Sequence, residues 1–235
     1  MGGFDLAGVM HDISVWILPI LTAITLHEAA HGWVAWKLGD QTAHNMGRVS
    51  FNPLRHVDRF GTILLPGLLM LAHAPFMFGY AKPVPVNFRQ LGNPKRDMVL
   101  VAAAGPGINI AMALIAALLL HVTGYIPAMV GAWVGENLEN ALLLNVVLAV
   151  FNMLPLPPLD GGRVLTGLLP RKLAIPFARI ERYGMLIIIG ALVLPPLIAA
   201  QMGTSFSLIG WILLPPVRYV LNMVLMLTGW GAAGG

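Results

Sequence analysis

The sequence predicts an all-α polytopic membrane protein, with about five to six transmembrane helices and a re-entrant, partly extended segment between the first two crossing helices. Three observations predict it. Hydrophobic residues make up 57% of the 235-residue chain and charged residues 10%, against about 25% charged in ordinary globular domains. The apolar residues fall into blocks near the roughly 20 residues that one helical span requires. The basic residues lie between those blocks, where they act as topology determinants. A formal charge of +4 arranged in this way forms no basic domain, which argues against a nucleic-acid partner.

Five blocks read as crossing helices: 13–36, 98–121, 138–153, 184–200 and 206–227. The N-terminal charges are Asp5 and Asp12, so no positively charged leader precedes the first block. That block is therefore expected to be retained. A sixth stretch, 61–80, is interrupted by Pro66 and Pro75. Thirteen of the fourteen basic residues cluster in 37–59, 82–96 and 163–182, while 122–137 holds none and carries Glu136. With 122–137 outside, the clusters on both sides of 61–80 are cytoplasmic, and that stretch enters the membrane and returns. A full extra span is the other reading of 61–80, and it puts one basic cluster outside. Non-helical backbone at membrane depth is tolerated only where protein or a wet cavity satisfies it. Residues 1–235 are read as one integral-membrane domain.

The first block contains His27-Glu28-Ala29-Ala30-His31. Residues four apart stack on one helix face, so both imidazoles can share a metal, with Glu28 beside them as a non-ligand. Ionisable groups inside an apolar span are expensive unless paired or wet, and mark functional sites. Cysteine is absent, so a hydrolytic zinc, which takes three protein ligands and an open position, must find a third ligand among His and carboxylates. Among the acids, Asp160 alone sits in an unusual setting, Asn152-Met-Leu-Pro155-Leu-Pro157-Pro158-Leu-Asp160-Gly161-Gly162. The prolines end a helix and force an extended segment. Read from the residues alone, Asp160 is either a ligand or the cap of a helix beginning near Arg163.

H-E-x-x-H on one span, with N-x-x-P and L-D-G-G at the end of a later one, resembles the site-2 proteases, the intramembrane zinc peptidases. The resemblance extends to Gly47-Arg48-Val49-Ser50-Phe51-Asn52-Pro53, to 79–87 with its Lys82-Pro-Val-Pro-Val-Asn87, and to Ala104-Gly105-Pro106-x-x-Asn109. It implies one Zn2+ per chain held by His27, His31 and Asp160, Glu28 as catalytic base, and Asn152 orienting substrate or the oxyanion. It also implies a compact, core-only member, without PDZ or nucleotide-sensing domain.

The expected function is then zinc-dependent hydrolysis of a peptide bond within or near a substrate's transmembrane helix, as regulated intramembrane proteolysis. A non-proteolytic zinc carrier and a helix-binding scaffold are the alternatives. The expected partners are a transmembrane protein substrate and the lipid bilayer, with oligomeric state unknown. The expected location is integral to the membrane (the cell membrane if the chain is bacterial), with the site facing the cytoplasm. In 82–87, Pro83 and Pro85 lack amide hydrogens, which leaves Val84 and Val86 to pair with an extended substrate by strand addition; a plain connecting loop is the other reading. Gly105, Pro106 and Asn109 are expected to permit close helix approach and one interhelical hydrogen bond.

Overall fold

A computed structural model describes residues 5–64, 68 and 81–232. The described residues form helices and connections without a strand. The helices are α1 (Leu6–Lys37), α2 (Thr42–Asn45), α3 (Pro94–Leu120), α4 (Ala128–Asn152), α5 (Asp160–Leu168), α6 (Arg171–Ala178), α7 (Glu181–Gln201) and α8 (Leu208–Leu227). Five of these, α1, α3, α4, α7 and α8, are long and apolar enough to cross a membrane, as the sequence predicts. Of the expected re-entrant or extra span at 61–80, residues 65–67 and 69–80 lie outside the described residues.

Helix boundaries follow local chemistry more closely than apolar block limits. Asp5 caps α1 by accepting from the Gly8 amide at 3.0 Å. At the other end, Gly39 adopts φ 111°, a left-handed conformation glycine takes without penalty. Asn93 and Asp97 close the start of α3 reciprocally. Asn93 accepts from the Arg96 amide at 3.4 Å, and Asp97 accepts from the Asn93 amide at 2.7 Å. Pro94 supplies the first helical position, where no donor is needed. The largest difference from the expected limits is at α4, which starts at Ala128 rather than Leu138. Its extra turns carry Glu136, bonded to His11 of α1 at 2.7 Å, so a charged stretch that reads as a loop is helical.

α1, α3 and α4 form the body that holds the site. One apolar cluster joins Ala113, Ala116 and Ala117 of α3 to Leu142 and Val146 of α4 and Val217 and Val224 of α8. The alanines keep α3 slim where two helices press against it, the usual device where lipid supplies no hydrophobic drive. α8 ends beside the end of α3: His121 donates to the Thr228 carbonyl at 2.7 Å, and the Trp230 indole to Ala117 at 2.8 Å. A second cluster, Ala35, Leu91 and Val101 with Val86 and Phe88 against it, fastens the 82–91 segment to α1 and α3.

Candidate metal centre

The three sequence-predicted metal ligands come together. The Nε2 atoms of His27 and His31 lie 3.0 Å apart. Asp160 Oδ2 stands 3.2 Å from the first and 3.3 Å from the second. All three side chains are buried. α1 supplies both imidazoles from successive turns, as the spacing of four dictates.

Asp160 reaches them because the chain after α4 folds back tightly. The segment 153–159 turns through its prolines, with Pro157–Pro158 cis. Gly161 and Gly162 then let α5 lie directly on that loop: a Cβ at 161 would stand 2.5 Å from the Leu154 carbonyl oxygen, and one at 162 would stand 2.6 Å from the Leu156 carbonyl carbon. Leu159, rather than Asp160, occupies the cap position of α5, and the Asp160 carboxylate turns to the imidazoles.

Hydrogen bonds behind the imidazoles fix which of their atoms are free. His31 Nδ1 lies 2.7 Å from the Val101 carbonyl oxygen, an acceptor only, so that nitrogen carries the proton. His27 Nδ1 lies 2.5 Å from Asn109 Oδ1 and is protonated for the same reason. Each Nε2 is therefore a bare lone pair, aimed at the other and at Asp160 Oδ2. That oxygen is buried and accepts no hydrogen bond among the described residues. Three electron-rich atoms packed 3.0–3.3 Å apart without a hydrogen between them repel unless a cation sits among them. Ligands of a tetrahedral zinc with bonds of about 2.0 Å stand roughly 3.3 Å apart. The donor set, its protonation and its spacing all fit zinc.

Glu28 faces a cavity of about 250 Å³ shared with His27, His31, Val84, Asn152 and Asp160. One carboxylate oxygen, Oε2, accepts from the Val84 amide at 2.7 Å. No sequence signal marks this contact, since backbone amides carry none. An adjoining cavity of about 190 Å³ shares Glu28 and Asn152 with the first. Asn152 lines both, and its amide donates back to the Leu148 carbonyl at 3.0 Å.

Val84 and Val86 differ in their surroundings. Val84 is buried and its amide is used by Glu28. The Val86 side chain packs on the Ala35–Leu91–Val101 cluster, and among the described residues its amide has no acceptor. Arg48 donates to the carbonyls of Lys82 and Pro83 at 2.7 and 3.3 Å, and Asp40 accepts from the Asn87 amide at 2.6 Å. The segment is thus pinned at both ends.

At Gly105 the structure differs from the close helix approach that the sequence suggests. A Cβ there would stand 2.6 Å from both Cε1 and Nε2 of His27, and would press on His31 Nε2 as well. The glycine admits imidazoles rather than a neighbouring helix backbone.

Comparison with known proteins points the same way. Residues 127–195 match the model of peptidase family M50, a range that includes Asn152 and Asp160. The Bacillus subtilis (strain 168) protein named "Putative zinc metalloprotease YwhC" is 38% identical over 183 residues, spanning 76% of this chain and 80% of that protein. The Mycolicibacterium smegmatis (strain ATCC 700084 / mc(2)155) protein named "Putative zinc metalloprotease Rip2" is 30% identical over 190 residues, 79% of this chain and 70% of that one. No solved structure matches the chain.

Proposed function

The chain belongs to peptidase family M50 as a membrane zinc metalloendopeptidase, and from that premise we propose that it cuts a peptide bond within or beside a substrate's transmembrane helix. The observation that carries this reading is the buried convergence of His27 Nε2, His31 Nε2 and Asp160 Oδ2, with Glu28 next to them on the wall of an open cavity. The three would hold the zinc. When bound, zinc supplies Lewis-acid polarisation of the scissile carbonyl and a lowered pKa for water.

The protein's own groups do the rest. Glu28, held through Oε2 by the Val84 amide, keeps Oε1 to take a proton from the attacking water. It then delivers that proton to the departing amine. Asn152 lines the same cavity, and its remaining N–H is the group assigned to the substrate carbonyl. A carrier or a silent scaffold has no use for a carboxylate fixed at this point.

A substrate helix hides its peptide bonds in its own hydrogen bonds, so it must be cut extended. We assign the pairing of that extended chain to the 82–87 segment, through the Val86 amide, since the Val84 amide serves Glu28. Val86→Pro removes this donor without touching the base. Cleavage should fall about tenfold or more with zinc content unchanged, the effect of losing a backbone pairing that positions the reacting bond. Full cleavage by that variant would end the pairing assignment. His31 lies six residues before Lys37, about 9 Å at 1.5 Å per residue, which supports a site opening to the cytoplasmic face of one domain, 1–235. The function as a whole is tested by comparing membrane proteomes of cells carrying the wild type or Glu28→Gln. An uncut single-span protein should accumulate with the variant, and identical proteomes would count against the proposal.

A further inference from the structure

Asn109 and Asn145 are both fully buried, and they form a directional chain of hydrogen bonds that ends at His27. Its orientation is set at the far end. Asn145 Nδ2 lies 2.8 Å from the carbonyl of Ala141, an acceptor only. The Asn145 amide is therefore oriented with Oδ1 facing away, where it accepts from Asn109 Nδ2 at 2.6 Å. That in turn fixes the Asn109 amide with Oδ1 towards His27 Nδ1, at 2.5 Å. An amide turned the other way would offer an N–H to Nδ1, move the imidazole proton to Nε2, and block the metal position.

We infer that Asn145, which touches neither metal ligand nor cavity, is a positioning residue that selects the metal-binding tautomer of His27 through Asn109. The inference rests on the zinc reading of the site. Asparagine is needed at both places because a relay of this kind must accept on one side and donate on the other. Hydrogen-bond partners of ligating histidines act on metal affinity by about 10–100-fold.

The test is the zinc dissociation constant of detergent-purified full-length protein, measured by chelator competition. Asn145→Leu keeps the volume and removes the acceptor, so Asn109 is free to turn over; zinc affinity should fall about 10–100-fold. Asn145→Asp still accepts from Asn109, whether ionised or protonated, and should bind zinc within about threefold of wild type, since the relay through Asn109 to His27 survives. A packing role predicts the reverse order, because leucine suits a buried apolar site and a carboxyl does not. The decisive variant is Asn109→Asp combined with Asn145→Leu. A carboxylate at 109 accepts through either oxygen and needs no orienting partner, so zinc affinity should return to near the wild-type value, a non-additivity expected only of coupled residues. Wild-type zinc affinity in Asn145→Leu, or no rescue in the double variant, overturns the relay. Absence of zinc from the wild type sinks the metal assignment beneath it.

Discussion

Glu28→Gln should retain zinc and lose cleavage, with kcat/KM falling by about 10²–10⁴-fold, the range a general base contributes. Glutamine has the same length, and its side-chain carbonyl can still accept from the Val84 amide that now holds Oε2 at 2.7 Å. The 82–87 segment therefore keeps its place. His27, His31 and Asp160 are untouched, so the metal position is unaltered. What disappears is a group able to take a proton. Metal analysis alongside a peptide-bond cleavage assay checks both halves. Zinc lost with cleavage intact would reverse the role assignments.

Gly105→Val should abolish zinc binding and cleavage together while leaving the helices formed. The cause is steric: even the first carbon of any side chain would sit 2.6 Å from His27 Nε2. The imidazoles must then swing away from Asp160. A displacement of about 1 Å at a catalytic group costs about 100-fold, and here the displaced groups are the ligands themselves. Gly105→Ala should show the same defect in weaker form, because a single methyl can be accommodated by smaller shifts. Circular dichroism separates this outcome from unfolding. A zinc-replete, active Gly105→Val would contradict the close approach of α3 to α1 at the site.

The two variants probe residues of very different legibility. His27, Glu28 and His31 are legible because a spacing of four on a helix is a local property, and local periodicity survives into any fold. The five spanning helices are legible for a similar reason: apolar length alone determines them. Asp160 is half legible. Its prolines and glycines announce a tight turn, yet a residue 129 positions after His31 is brought to it only by the packing of α5 on the 153–159 loop. The start of α4 is hidden because Glu136 reads as solvent-facing, and its partner His11 is in another helix.

Gly105 and Asn109 carry signals of the wrong kind, and Asn145 carries none. A glycine in a span reads as helix approach, and a buried asparagine as one interhelical bond. The asparagine reading is correct as far as it goes, whereas the glycine makes room for the two imidazoles. The interhelical bond between Asn109 and Asn145 exists, and what the sequence cannot express is that its direction is inherited by an imidazole on a third helix. The Val84 contact to Glu28 belongs to the backbone, so no residue type reports it.

The central claim is that Asp160 completes a three-ligand zinc centre with His27 and His31. The measurement that tests it most directly is zinc stoichiometry and affinity for the wild type and Asp160→Asn, both purified in detergent. An amide keeps the shape of the carboxylate but surrenders its charge and much of its donor strength. The wild type should hold one zinc per chain, and Asp160→Asn should bind it more weakly by more than the roughly 10–100-fold that losing a ligand's hydrogen-bond partner produces. Equal zinc affinity in the two proteins would contradict the account.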